Sequence, residues 1–183
     1  VYDKAKEFID DGEIVFITTE HKGKDTSTYP CAWTLHNYLK EEGYTGIKID
    51  ADNTGRHLVK LITETPNAIV PKLSRGEEVK YNDKVIWKEG KKLQYLITTS
   101  ILETGWSCGQ IGETDSFTKT LGVFPGTPER IYTIHSIRQA IRRARCVKDH
   151  YLYVGGEKGI YKNIPQIIEE LDTTGKWTEE ANL

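Results

Sequence analysis

The segment Glu13-Ile14-Val15-Phe16-Ile17-Thr18-Thr19 decides the fold, because it is a short β-branched run directly behind the turn signal Asp-Asp-Gly at 10–12. Such a run predicts a buried strand. The polar residues 21–29 then predict a loop. Pro30 suits the first turn of a helix in which apolar residues recur at three- and four-residue spacing until Gly43. A strand that leads through a loop into a helix indicates an α/β fold.

The alternation of strand and helix continues along the chain and predicts a mostly parallel central sheet flanked by helices. Further strands are predicted at 47–50, 93–99, 131–134 and 150–154, and further helices at 56–64, 136–145 and 164–171. Residues 109–128 are rich in turn formers and predict a long connection. Because ligands bind at the carboxyl ends of parallel strands, the loops after Thr19, Asp50, Ser100 and Ile134 are expected to share one functional edge.

A β-hairpin is predicted as an insertion in this pattern. Val79-Lys80-Tyr81 and Lys84-Val85-Ile86-Trp87 flank the short polar pair Asn82-Asp83. One interpretation is a pin that splits a duplex, with Trp87 as a stacking platform. The plainer interpretation is an edge hairpin, because base stacking needs an exposed aromatic side chain.

The composition excludes several classes of protein. Of the 183 residues, 37% are hydrophobic and 28% charged, which is typical of a globular chain and not of a disordered or collagen-like one. With 25 basic and 27 acidic residues the net charge is −2, so a nucleic-acid-binding surface must be local. No apolar run approaches the ~20 residues of a membrane span, and no membrane partner is expected. The three cysteines fit neither a disulfide framework nor a zinc site, which predicts a reduced cytoplasmic environment and no metal.

The most informative segment is the basic stretch from Arg130 to Lys148, which contains no acidic residue. On a helix, Gln139, Arg142 and Arg143 share one face. Arg145 projects about 160–200° from Arg143 on a regular helix, so the two converge only if the helix ends nearby. Guanidinium groups near a strand's carboxyl end would suit phosphate oxygens. The alternative is a solvated basic face of the helix.

A second segment places hydroxyl groups at the end of a predicted buried strand. Thr98, Thr99 and Ser100 end that strand, and a helix is predicted to begin there. Hydroxyl groups beside the N–H groups of a helix N-terminus suit a phosphate, and Gly105 would allow close backbone approach. The alternative is an ordinary strand-to-helix turn that Ser100 caps.

Together these segments resemble the second RecA-like domain of superfamily 2 helicases. Val15–Thr19 is similar to motif IV, Thr98–Ser107 to motif V and Gln139–Arg145 to motif VI. The ending Gln-x-x-x-Arg-x-Arg is similar to that of viral origin-binding-protein-like helicases. The resemblance implies a single RecA-like α/β domain over 1–183, with a core at about 12–172 and a frayed tail at 173–183.

The resemblance also implies three sets of site residues. The set expected on the nucleic-acid backbone is Thr18, Thr19, Thr99 and Ser100. The set expected to face the nucleotide is Gly105, Ser107 and Arg142. The set expected to stabilise charge on the γ-phosphate is Gln139, Arg143 and Arg145.

The chain departs from the family pattern in two places. Many relatives have Gln-x-x-Gly-Arg-x-x-Arg, whereas here Arg142 stands where glycine is usual and Cys146 occupies the last slot. Arg143 matches the first arginine, and Arg145 is the nearby candidate for the second. Ser107 replaces the aspartate that follows the motif V glycine.

Two ATP-binding segments of such motors do not occur in this chain. There is no Gly-x-x-x-x-Gly-Lys-Ser/Thr loop for ATP phosphates and no Asp-Glu-x-His/Asp segment for Mg²⁺.

The chain contains no methionine and starts at Val1, which suggests a piece of a longer protein. The resemblance then implies the C-terminal motor half of a helicase or translocase, inactive in isolation. ATP and Mg²⁺ would be held mainly by a P-loop domain of the same parent protein, and the substrate would be single-stranded nucleic acid, DNA favoured over RNA. The alternative is a non-hydrolysing module that binds nucleic acid or protein.

Overall fold

A computed structural model describes residues 1–99, 106–109, 116–125, 134–154 and 160–163, with only the backbone of 134–136 and 160–163. Its helices are α1 (Tyr2–Asp10), α2 (Ala32–Glu41), α3 (His57–Glu64), α4 (Pro66–Arg75) and α5 (Ile134–Ile141). Its strands are β1 (Val15–Thr19), β2 (Gly46–Ile49), β3 (Val79–Tyr81), β4 (Lys84–Trp87), β5 (Tyr95–Thr98), β6 (Lys119–Phe124), β7 (Asp149–Val154) and β8 (Ile160–Asn163).

The main sheet has the strand order β2-β5-β1-β6-β7-β8, and its neighbouring strands run parallel except β7 and β8. In the middle of this sheet, Val15 of β1 pairs with Tyr95 of β5 on one side and with Lys119 of β6 on the other. The predicted α/β fold with a mostly parallel sheet is therefore confirmed, and the architecture is consistent with the RecA-like type.

Alternating side chains of β1 build the core on both faces of the sheet. Val15 and Ile17 pack with the apolar faces of α1 and α2. Phe16 points to the opposite face, where α3, α4 and the hairpin bury their apolar residues. The helices therefore cover both faces and leave the strand ends as the edges at which loops can form a site.

The predicted hairpin is confirmed as β3 and β4, which pair antiparallel around Asn82 and Asp83. These two residues have φ values of 48° and 62°, the left-handed conformation that a two-residue hairpin turn requires and that Asn and Asp tolerate. Trp87 is only 4% exposed, and its indole N–H donates to the Lys91 carbonyl at 2.6 Å. The interpretation of Trp87 as a stacking platform is therefore wrong.

The predicted long connection at 109–128 contains a central strand instead. β6 lies between β1 and β7, and its Leu121 and Val123 are fully buried. Gly122 is the reason that α5 can pack so close to this strand, since a Cβ there would lie 2.9 Å from Ile141 Cγ2 and 2.6 Å from Leu152 Cδ2.

The predicted helix 56–64 is confirmed as α3, whereas the helix α4 that Pro66 begins was not predicted. Proline is tolerated at that position because the first turn of a helix needs no N–H donor there. The predicted strand 131–134 and helix 136–145 differ in their bounds, because α5 begins at Ile134 and ends at Ile141. Ile134 is therefore not in a strand, and residues 142–145 are not helical. The predicted strand residues 131–133 and the predicted helix 164–171 lie outside the described residues.

Within the described part of the chain, no helix has the length and apolar character needed to cross a membrane.

Candidate functional site

The carboxyl ends of β1, β2 and β5 form one edge of the sheet, hereafter the carboxyl edge. The Thr99 N–H donates to the Ile49 carbonyl at 3.2 Å, and the Glu20 N–H donates to the Val123 carbonyl at 3.3 Å. The ends of β1, β2 and β5 therefore lie side by side, as predicted for the loops after Thr19 and Asp50. The loop predicted after Ser100 lies outside the described residues, and Ile134 belongs to α5 and not to a strand end.

The threonines expected on nucleic acid lie at this carboxyl edge and are largely buried. Thr18 and Thr99 are 4% and 7% exposed, and Thr19 is 1% exposed. The Thr19 hydroxyl donates to the His21 carbonyl at 2.9 Å and accepts from the His21 N–H at 3.1 Å. Thr19 thus shapes the loop behind β1, and its contact with nucleic acid stays a prediction, as does that of Thr99. Ser100 lies outside the described residues.

Two buried carboxylates at the carboxyl edge were missed by the sequence analysis. Glu20 Oε1 lies 3.0 Å from Nε2 of His21, and the Glu20 side chain is fully buried. Asp50 accepts the Asp52 N–H at 3.1 Å, and Lys48 Nζ lies 2.7 Å from Asp50 Oδ2. The signal was present in the polar residues directly after β1 and β2. Asp50 thus organises the loop after β2, whereas both Glu20 oxygens are buried without a hydrogen-bond partner and have only the ionisable His21 beside them.

The basic segment forms a loop between α5 and β7. The Cys108 N–H donates to the Arg143 carbonyl at 2.8 Å, and the Arg145 N–H donates to the Cys108 carbonyl at 2.8 Å. The guanidinium Nη1 of Arg143 donates to the Trp106 carbonyl at 2.9 Å. These three hydrogen bonds join the motif V-like residues 106–108 to the motif VI-like residues 143–145. We call residues 143–145 the arginine loop.

The side chains of the basic segment differ in exposure. Gln139, Arg142 and Arg145 are exposed, whereas Arg143 is half-buried. Ser107 is also half-buried, next to Cys108. Gly105 lies outside the described residues. Of the predicted nucleotide-facing and catalytic residues, the structure therefore brings the segments of Ser107, Arg143 and Arg145 into contact. The side chains of Arg142 and Arg145 are exposed and could contact a partner domain.

The arginine loop lies near the amino end of the sheet, not near a strand's carboxyl end as predicted. Cys146 Sγ donates to the Phe117 carbonyl at 3.2 Å, two residues before β6 begins. β7 begins at Asp149, which pairs with Lys119 at the start of β6. The reason for the difference is that α5 returns across the sheet from the end of β6 before the arginines occur. The candidate site is thus divided between two ends of the sheet.

A buried aromatic cluster supports the arginine loop. The Trp106 ring stacks on Phe16 of β1 with centroids 5.6 Å apart, and its indole N–H donates to the Ile62 carbonyl at 3.0 Å. Cys108 and Cys146 are buried beside it, as expected for small core residues. The carbonyl that accepts from Arg143 is therefore held by core packing.

His150 and Arg142 lie near each other at the start of β7. Burial, together with the positive charge of Arg142, lowers the pKa of His150 below its ordinary value. The imidazole is then neutral near pH 7 and does not add to the charge of the arginine loop. Within the described ranges, no three His, Cys, Asp or Glu side chains form a group that could hold a metal ion.

Comparisons with known proteins add no information about either end of the sheet. Neither the protein-family models, nor the curated proteins, nor the solved structures gave a match to this chain.

Proposed function

We propose that this chain is the C-terminal motor half of an ATP-dependent nucleic-acid helicase or translocase. The observation that carries the proposal is the set of three hydrogen bonds between residues 106–108 and 143–145. Trp106 and Arg143 are 37 positions apart in the sequence, and they belong to the two segments that most resemble helicase motifs. Contact between these segments supports a joint role for them.

The arginine loop is the proposed nucleotide side. ATP and Mg²⁺ would be held mainly by a P-loop domain of the same parent protein, and this chain would add positive charge across the cleft between the two. The exposed Arg145 and Arg142 suit that role, because a charged side chain without core contacts can reach a neighbouring domain. Arg143 would hold the loop through the Trp106 carbonyl. Charge that develops on the γ-phosphate would be stabilised chiefly by Arg145, and Gln139 of α5 would add a polar contact.

The carboxyl edge is the proposed nucleic-acid side. Thr99 and the β1 loop shaped by Thr19 would contact the phosphate backbone of a single strand, and DNA is favoured over RNA. Because phosphate contacts carry little sequence information, binding should show no sequence preference. A net charge of −2 means that the isolated chain should bind weakly and lose affinity as salt rises.

The proposed cycle is closure and reopening of the cleft. ATP bound by the P-loop domain would draw the arginine loop toward it and close the two halves. Hydrolysis would release the arginines and the halves would reopen. Because Thr19, Thr99 and Ser100 would hold the strand backbone, each cycle would move the protein along the strand.

The test compares ATP hydrolysis by the 183-residue chain with that by its full-length parent. The isolated chain is expected to be inactive, because it lacks a loop that cradles the β- and γ-phosphates. The parent is expected to hydrolyse ATP faster when single-stranded DNA is present. Turnover by the isolated chain, purified free of other ATPases, would refute the half-motor assignment. A parent that binds single strands without hydrolysing ATP would favour the non-hydrolysing binding module.

A further inference from the structure

His57 and Tyr81 form an aromatic stack outside the core. Their ring centroids lie 4.2 Å apart with an interplanar angle of 17°. His57 is exposed even though its ring stacks on Tyr81, so part of this side chain is accessible to solvent. The apolar contacts that fix the hairpin are made by Val79 and Trp87, which are buried in the core. The stack therefore lies beyond the packing that holds the hairpin in place.

The stack lies on the carboxyl-edge side of the sheet. His57 is the first residue of α3, and the loop 50–56 leads to it directly from the carboxyl end of β2. β2 pairs with β5, whose last residues lead to Thr99. Tyr81 is the last residue of β3, next to the hairpin turn. The tip of the hairpin and the proposed nucleic-acid side thus share one region of the molecule.

Two basic residues are neighbours of this stack, one along the chain and one across the hairpin. Arg56 precedes His57, and Lys84 is the cross-strand partner of Tyr81, so Lys84 and Tyr81 project from the same face of the hairpin. Among the described residues, neither Arg56 nor Lys84 takes part in an ion pair, whereas Lys80 on the opposite face is paired with Glu78 at 2.9 Å. Asp83 at the turn offsets part of this charge. An accessible ring with two unpaired cations as neighbours is complementary to a base with its flanking phosphates.

We infer that the His57–Tyr81 stack is a platform on which a base of the bound single strand stacks. The inference rests on the proposed function and extends it from phosphate contacts to a base contact. Stacking on aromatic side chains is tolerant of sequence because every base has a π-face. Arg56 and Lys84 would hold the phosphates on either side of the stacked base.

The test is a binding titration of the 183-residue chain with two single-stranded DNA oligonucleotides of about 12 nucleotides. One carries ordinary bases with 2-aminopurine at a central position, and the other has the same phosphates but abasic central positions. The wild-type chain is expected to bind the abasic strand at least about fivefold more weakly and to quench 2-aminopurine fluorescence. Tyr81→Ser and His57→Ala should each reduce both effects, and Tyr81→Phe should retain them.

Val85→Ser is the matched control, because Val85 is 46% exposed on the same hairpin and lies on the face opposite Tyr81. It should bind both strands as the wild type does. His57→Ala provides a second variant in case Tyr81→Ser disturbs the hairpin, and thermal unfolding checks each variant. Equal wild-type affinity for the two strands, or unchanged quenching in His57→Ala and Tyr81→Ser, would overturn the inference and leave the proposed function standing. Absence of any single-strand binding by the wild type would overturn both.

Discussion

Arg143→Ala is expected to destabilise the 183-residue chain, whereas Arg145→Ala is not. The Arg143 guanidinium donates to the Trp106 carbonyl at 2.9 Å in a partly buried position, and the Arg145 side chain is exposed. A hydrogen bond from a charged donor contributes about 1.5–3 kcal/mol. Exposed substitutions usually change stability by about 0.5 kcal/mol or less. The free energy of unfolding should therefore fall by about 1.5–3 kcal/mol in Arg143→Ala and remain nearly unchanged in Arg145→Ala.

Urea unfolding followed by tryptophan fluorescence measures this difference, since Trp106 is buried directly beneath the arginine loop. Arg142→Ala is a further control, because Arg142 is an exposed neighbour of the same charge. The three substitutions remove side-chain atoms only and leave the backbone groups of residues 143 and 145 that bond to Cys108 in place. Each variant therefore reports on a side chain alone.

A midpoint for Arg143→Ala equal to that of the wild type would refute the anchoring role of Arg143. A loss in Arg145→Ala as large as that in Arg143→Ala would equally contradict the assignment of Arg145 as the outward arginine. Either result would remove the physical basis for assigning different roles to the two arginines.

Three further predictions concern the fold and the nucleic-acid side. Thr99→Ala in the full-length parent should weaken single-strand binding by roughly 2- to 10-fold in a salt titration, while Thr99→Ser retains affinity; equal affinities would exclude Thr99 from the site. Gly122→Ala should lower the free energy of unfolding by about 1–3 kcal/mol, because the added Cβ would meet Leu152 and Ile141; unchanged stability would contradict the close approach of α5. Burial lowers the pKa of His36 from 6.5 to about 4, so the folded chain loses stability as the pH falls through this interval and the unfolded chain takes up the proton first. The wild type should therefore lose more free energy of unfolding on acidification than His36→Gln.

The sequence predicted the elements whose local signals agree with their tertiary environment. β1 and β5 are buried along their whole length because both of their faces are covered, and their β-branched and apolar residues predicted this. β2 lies at the edge of the sheet, and its buried isoleucines alternate with Gly46 and Lys48. Helix α2 repeats apolar residues every three or four positions, since only one side faces the sheet. The hairpin was predicted from Asn82-Asp83, whose side chains tolerate the left-handed backbone of its turn.

The elements that were missed carry signals that tertiary packing overrides. β6 has a glycine at its centre and follows a turn-rich stretch, yet Gly122 is needed there to admit α5. α4 begins with Pro66 and contains Pro71, and a proline usually predicts the end of a helix.

The candidate site was only partly predictable for a related reason. The motif residues could be located along the chain, and the shared start of the loops after β1, β2 and β5 followed from the parallel sheet. The arginines lie near the opposite end of the sheet because α5 ends at Ile141, before they occur. The spacing of residues 139–145 in the sequence did not predict that end. Likewise the stack of His57 on Tyr81 depends on a contact between an inserted hairpin and a helix.

Nucleic-acid-stimulated ATP hydrolysis by the full-length parent protein tests the central claim most directly. With single-stranded DNA present, Arg145→Ala should lower kcat by about 10³–10⁵ while ATP binding persists, because an arginine of this kind stabilises charge on the transferred phosphate. Arg143→Ala should also lower kcat, because the loop that carries Arg145 loses its hydrogen bond to the Trp106 carbonyl. Val85→Ser, a substitution of an exposed residue of β4 outside the arginine loop, should keep the wild-type rate. A parent protein whose two arginine variants both retain the wild-type kcat would contradict the account.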